Sequence, residues 1–407
     1  MADFIEKRFE FTRNFKYIAL ALAGIGVIAI VVAFIIDPER AWANILLNNY
    51  YFLCLAIGAS FFLALQYITQ SGWSAAFKRI PEALASFIPW LALFMLLMLI
   101  GMNSLYPWIQ PEKEGFDDHA LHLIHHKDPY LNVPFFIIRL VIFFGVWIVM
   151  TRLLRKYSLK EDLEGGVAWF EKSEFYSKIY IFTLALTFSL ASFDWIMSLE
   201  PTWFSTIFAL KNFVTAFYHG TSLIVLIIVI MHYYGYFPFI SNAHWHDFSK
   251  YVFILSILWG YFWFSQYLLI WYANIPEETI YYFKRTQGTW EILFYVNLAI
   301  NWALPFLALL SNYFARKKTV LGIITILILI GLYTDLFEQV MPGTVGDFRF
   351  GLIEIGMFAG YAGFFLYIFG KNLSSAGLIP RNHPYLEESL RHTGEGGEKN
   401  IKLEEVT

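Results

Sequence analysis

Apolar residues run in long blocks along this chain, over approximately 17–36, 45–69, 84–106, 133–154, 176–198, 202–234, 248–273, 290–313, 319–339 and 348–370. Each block reaches the roughly 20 residues that a helix needs to cross a bilayer. None alternates apolar and polar positions as a barrel strand must. The pattern predicts an all-α integral membrane protein with about ten transmembrane helices. The block at 202–234 is longer than a bilayer requires, so it predicts a helix that tilts, extends beyond the membrane or begins on its surface. No Pro/Ser-rich linker divides the blocks, so 17–371 reads as one polytopic domain. It is preceded by a charged amphipathic segment over 1–16 and followed by a polar tail over 372–407.

Composition agrees with the pattern. Of 407 residues, 58% are hydrophobic and 15% charged, against about 25% charged in soluble proteins. Aromatics reach 20%, which suits lipid-facing helices and interfacial belts. A net charge of −3 points to no nucleic-acid partner. The single cysteine, Cys54, cannot by itself build a disulfide, an iron–sulfur cluster or a CxxCH haem attachment. The stretch MADFIEKRFEFTRNFKY lacks a short apolar core followed by a cleavage site, so no removable signal peptide is expected.

Most of the 29 Lys and Arg residues fall on one side of the predicted helices. That side holds the N-terminal segment, Lys78 and Arg79, the 152–178 connection, Lys250, 316–318 and the tail. The opposite connections carry only Arg40, Lys113, Lys127, Lys284, Arg285 and Arg349. The positive-inside rule therefore predicts both termini cytoplasmic and the Glu200 turn outside.

Charge inside a span costs roughly 2.5–3.5 kcal/mol on insertion scales and tends to be functional. The candidates are Arg139, Asp194, Lys211, His219, His232, Asp335, Glu338 and Glu354. Most lie in the outer third of the predicted membrane. Lys211, Thr215, His219 and Ser222 share one helical face. Side chains lean toward the helix N-terminus, so Lys211 reaches outward, and a Lys211–Asp194 pair is one expectation. The bland alternative is that acids near span ends, Glu200 and Glu338 above all, snorkel into interfacial water. Asn297 and Asn301 read as helix-to-helix hydrogen bonds.

In the outer loop, DDHALHLIHHKD (117–128) sets His119, His122, His125 and His126 at helical spacing among carboxylates. Such a group can hold zinc. The alternatives are an amphipathic surface helix and a docking surface for a peripheral subunit. Haem b ligation from within the chain is not expected, because the only histidines within spans, His219 and His232, share one helix.

The stretch SFDWIMSLEPTWFSTIFALKNFVTAFYHG at 192–220, with outer-side charge and no cofactor ligands, resembles the F subunit of bacterial alternative complex III. That subunit belongs to the NrfD-like (polysulfide-reductase membrane subunit-like) family. The resemblance covers nearly the whole spanning region and implies two four-helix bundles, the second to fifth and the sixth to ninth spans, flanked by the first and tenth. It implies a quinol:cytochrome c or cupredoxin oxidoreductase that oxidises menaquinol or ubiquinol near the outer face. Partners would be the NrfD-like C subunit, an iron–sulfur subunit, multihaem cytochrome c subunits carrying haem c, lipids and a terminal oxidase. No quinone-binding motif can be carried over residue by residue. The expected role is a proton path built on Asp194, Lys211, His219, Asp335 and Glu354, with Glu338 and Arg139 beside it and Tyr218 and Ser222 as hydroxyl links. The rival expectations are a stand-alone proton-coupled secondary transporter and a purely structural anchor for redox subunits.

Overall fold

The computed structural model describes residues 7–392. Residues 1–6 of the expected N-terminal segment and 393–407 of the tail lie outside the described residues. Among those described, ten helices are long and apolar enough to cross a membrane. They are Arg13–Ile36, Pro38–Ile68, Ala75–Leu105, Val133–Glu164, Ala168–Leu199, Thr206–Tyr233, Asn242–Ala273, Thr289–Leu309, Lys318–Thr344 and Leu352–Leu373. The chain is an all-α multi-pass membrane protein. Below, these helices are the first to tenth spans.

Local signals start and stop them. Thr12 accepts the Phe15 N–H at the head of the first span. Asp37 closes that span and opens the next, accepting the Arg40 N–H with Pro38 in the first turn, where a missing N–H costs nothing. Asn132 caps the fourth span and Ser241 the seventh. Between the fourth and fifth spans, Gly165 and Gly166 have φ of +67° and +79°, a turn that L side chains resist.

Three elements depart from the apolar pattern. The third span starts at Ala75 rather than near 84 and is broken into short helical pieces around Pro81 and Pro89, which interrupt the N–H ladder. The long 202–234 block begins its helix only at Thr206, because residues 200–205 form a turn in which Trp203 is buried and stacks on Tyr281 at 3.9 Å. The eighth span carries a π-helical turn over Ala299–Ala303, just before Pro305.

The spans pack as two rings of four. The second, third, fourth and fifth adjoin in one ring, the sixth, seventh, eighth and ninth in the other, and the first lies along the tenth. The seam between the rings is the crossing of the second and sixth spans. There Gly58 and Gly220 meet backbone to backbone: a Cβ on Gly58 would lie 1.8 Å from the Ala216 carbonyl oxygen, and one on Gly220 would lie 2.6 Å from the Gly58 backbone. Small residues that let helix backbones touch are the packing currency of bilayers, where lipid is as apolar as the interface. Gly26 and Gly360 repeat the device between the first and tenth spans.

Residues from about Asn382 read as disordered, or ordered only against a partner; up to His392 they instead lie against the bundle end that carries Lys78. The Arg381 N–H and the Asn382 side chain donate to Asp162 at 3.2 and 3.0 Å, Ser389 donates to the Trp73 carbonyl at 2.7 Å, and His392 meets Asp247 at 2.6 Å. Ile379 and Leu386 are buried. Composition hid this because the anchoring partners are remote in sequence.

Gly220→Val should separate the two rings, since backbone cannot yield to the new side chain. The expected loss is about 1–3 kcal/mol or more of stability, read as a lower thermal midpoint of the detergent-purified protein, with Gly24→Ala, which meets open space, as the neutral comparison.

Candidate functional site

The charged residues within the spans form separate ion pairs and one extended network. Asp194 is fully buried and accepts from Nε and Nη2 of Arg139, at 2.6 and 3.0 Å. Arg139 also donates to the Tyr130 carbonyl at 2.9 Å and lies 3.9 Å from the Tyr130 ring centre. Lys211 is therefore not the partner of Asp194. Its ammonium donates to Asp335 at 2.7 Å on the ninth span. The preceding helix was the nearer partner in sequence, but the sixth span presents this face to its own ring, while Asp194 faces the fourth span in the other.

Glu354 is held by Arg40 at 2.8 and 2.7 Å, by Asn44 at 2.9 Å and by the Gly351 N–H at 2.8 Å. This pair ties the tenth span to the second. It stands apart from the Asp335 network.

The network itself runs inside the second ring. The Asn297 amide donates to Asp335 at 3.1 Å and to Glu338 at 3.0 Å, bridging two carboxylates one turn apart. Gln339 donates to the other Asp335 oxygen at 3.0 Å. Asn301, in the π-helical turn, donates to Asn297 Oδ1 at 2.6 Å and to the Gly331 carbonyl at 3.0 Å. Its own Oδ1 faces His219 Nε2 at 3.0 Å, while His219 Nδ1 faces the Thr215 carbonyl at 2.6 Å. A neutral imidazole carries one N–H, so with this amide orientation only a doubly protonated ring donates to both oxygens. Lys211, His219, Asp335 and Glu338 thus come together; Asp194, Arg139 and Glu354 do not join them. Tyr218 donates to the Asn301 carbonyl at 3.1 Å and Ser222 only to Tyr218. Asn297 and Asn301 do bond between helices, but the acids and the imidazole are what they bond.

Above this network lies a lid of connecting chain. Glu200, 8% exposed, is gripped by Arg285 at 2.7 Å and Lys284 at 3.1 Å. Arg285 in turn donates to the Glu338 carbonyl at 2.9 Å and stacks 3.5 Å from the Tyr281 ring centre. Burial alone raises the Glu200 carboxyl, but the two cations outweigh it and hold it below the usual carboxylate range. Lys127 donates to the Pro201 carbonyl at 2.5 Å, and its burial pulls the ammonium down. Glu200 is therefore clamped rather than snorkelling.

The four loop histidines His119, His122, His125 and His126 are exposed on and after the short helix Asp118–His125, which packs through Ile124. His119 lies 3.4 Å from Glu277 and His125 3.2 Å from Asp128. Among the described residues no group of three His, Cys, Asp or Glu is placed to hold a metal. The cluster lies exposed on and just after a short amphipathic helix.

A second charged cluster, which the sequence reading left in a loop, sits at the opposite end between the third and fourth spans. Arg79 binds Glu82 at 2.7 Å and also Asp162; Arg155 and Ser158 reach Glu82, and Lys78 reaches Glu161. The signal was the Arg79/Glu82 spacing of three facing Glu161 and Asp162. Beside it, Tyr67, Lys78, Gln66 and His383 line a cavity of about 20 Å³, room for a single water. Burial, then Lys78 and Arg79, push His383 down to about 2.

Comparison with protein-family models and with curated proteins returned no match. The class of the protein, an all-α multi-pass membrane protein with ten candidate spans among the described residues, rests on the fold itself.

Two outcomes follow from this geometry. Lys211→Met leaves Asp335 buried without its cation and should cost about 3–5 kcal/mol; adding Asp335→Asn should recover much of that in thermal unfolding, as a coupled pair requires. A depressed His383 holds stability that is complete above an unfolded-state value of about 6.5 and is lost as pH falls below it. Protease cleavage within 374–392 should therefore rise on acidification below that pH, and His383→Phe should flatten the rise.

Proposed function

We propose that this chain is a proton-conducting membrane subunit of a quinol-oxidising complex of the alternative complex III type, with electrons carried by partner subunits. The observation that carries the reading is the buried network from Glu338 and Asp335 through Asn297 and Asn301 to His219. It sets two carboxylates against one hydrogen-bonded ammonium, the Arg285 guanidinium being committed to Glu200 and to backbone carbonyls, which leaves a place for a proton, and it ends on an imidazole between two acceptors. Structural ion pairs do not need that surplus acid: Asp194 with Arg139 and Glu354 with Arg40 are each one acid against one cation. The 192–220 stretch that carries the family likeness supplies both the Glu200 turn and the Lys211–His219 face.

Quinol oxidation near the outer face releases protons, and iron–sulfur and haem c groups in partner subunits would take the electrons. Within this chain Glu338 and Asp335 accept a proton, Lys211 steadies the remaining carboxylate charge, and His219 takes the proton deeper. The two asparagines hold acid and imidazole apart, so transfer between them runs through water or a side-chain movement, which makes the step gated. The Arg285–Glu200 lid covers the acidic end.

A stand-alone proton-coupled transporter is the second reading. It draws on the eighth span, whose π-helical turn beside Pro305 puts irregular backbone within a ring, as transporter sites do.

Extraction of the tagged chain from native membranes in mild detergent decides between them. The proposal expects multihaem and iron–sulfur partners with quinol-dependent cytochrome reduction; a solitary chain would sink it. Glu338→Gln, which strands no cation, and His219→Ala should each leave the complex assembled and slow proton release by about a hundredfold, whereas equal rates in both variants would reduce the chain to an anchor.

A further inference from the structure

We propose that the groove between the Lys78 ends of the third and fourth spans binds an anionic phospholipid, its phosphodiester on Arg152 and Lys156 and its acyl chains along the third span. The groove holds about 710 Å³ and is walled by both spans. Arg152, Lys156 and Lys160 follow one another at single-turn spacing on one face of the fourth span. Their neighbour Arg155 is consumed by Glu82 and by Asn372 and Ser375. Lys160 leans on Glu164 at 3.8 Å and on the Trp169 ring. Arg152 and Lys156 are exposed and have no acidic partner among the described residues. The one carboxylate in the groove wall, Glu82, is already bound by two arginines and Ser158. The groove therefore offers two uncommitted cations and no free acid.

What lies below those cations distinguishes a lipid from a soluble anion. Trp90, 40% exposed, sits on the facing wall beside Pro89, where an indole at the membrane interface meets headgroup and chain alike. One and two turns deeper on the same face, Leu93 and Leu97 remain exposed, as does Val149 one turn below Arg152. Gly145, a further turn down, has open space where a Cβ would stand. The cationic rim thus continues into an apolar furrow within the span region. Basic pockets between helices at the Lys/Arg-rich membrane face select anionic headgroups by charge, while the furrow holds the chains. A free phosphate or an acidic peptide matches the rim but leaves the furrow uncovered.

The test uses the full chain, in whatever complex it is extracted, stripped of lipid and titrated with phosphatidylglycerol or with phosphatidylcholine of the same chains, bound lipid being counted by native mass spectrometry. Two phosphate contacts predict about a thirtyfold preference for phosphatidylglycerol. Arg152→Gln with Lys156→Gln should remove the preference, and Arg152→Lys with Lys156→Arg should retain it, which separates lost charge from lost folding. Raising the salt should weaken the preference, and glycerol phosphate without chains should not displace the lipid. Equal binding of the two lipids, a Gln variant with the wild-type preference, or displacement by glycerol phosphate would each overturn the assignment; the last would make the rim a simple anion site.

Discussion

A charge that leaves water for a bilayer must find its opposite, and that requirement organises this molecule. Removing a carboxylate or ammonium from water costs several kcal/mol even after relaxation, and only close, hydrogen-bonded partners offset it. Every buried acid described above except Glu338, which has only the Asn297 amide, has a cation partner on another element. Arg139 with Asp194 joins the fourth span to the fifth, Arg40 with Glu354 joins the second to the tenth, and Lys211 with Asp335 joins the sixth to the ninth. Arg285 with Glu200 brings the connection before the eighth span onto the turn before the sixth. At the other end Arg79, Glu82, Arg155 and Asp162 fasten the third span to the fourth. These pairs specify which helices adjoin, something that apolar contact in lipid does weakly.

Close packing then sets how near the helices come. Gly58 against Gly220 and Gly26 against Gly360 allow backbone contact where any side chain would hold the helices apart. The two devices are complementary: glycine crossings fix distance, and ion pairs fix partner and register. Between them the second ring retains a polar interior, because Lys211 stands on the face of the sixth span that turns toward the ninth.

That interior differs from the clamps in being unbalanced and extended. A clamp ends where its lone pairs are filled, as at Glu354 with four donors. The Asp335 network instead passes through two amides to an imidazole and places a π-helical turn at the join, a local irregularity that is often found at functional sites. An asparagine pair at one-turn spacing looks, on a helical wheel, like ordinary interhelical glue. Its meaning depends on what each amide meets across the ring.

The sequence alone determined the number of spans, their approximate limits, the uneven sharing of Lys and Arg among the connections and the set of charges forced into the spans, because each follows from run length and composition. It also put Lys211, Thr215 and His219 on one face, since helical spacing is local. Tertiary structure alone decided the partners. Asp194 and Lys211 were neighbours by antiparallel reasoning, yet each turned into a different ring; Arg40 met Glu354 across most of the chain; and residues 382–392, polar enough to read as free tail, were pinned by Asp162, Trp73 and Asp247. Periodicity reports the direction of a side chain around its own helix and carries no information about which helix stands opposite, so pairing of charges was settled only when the ten spans packed.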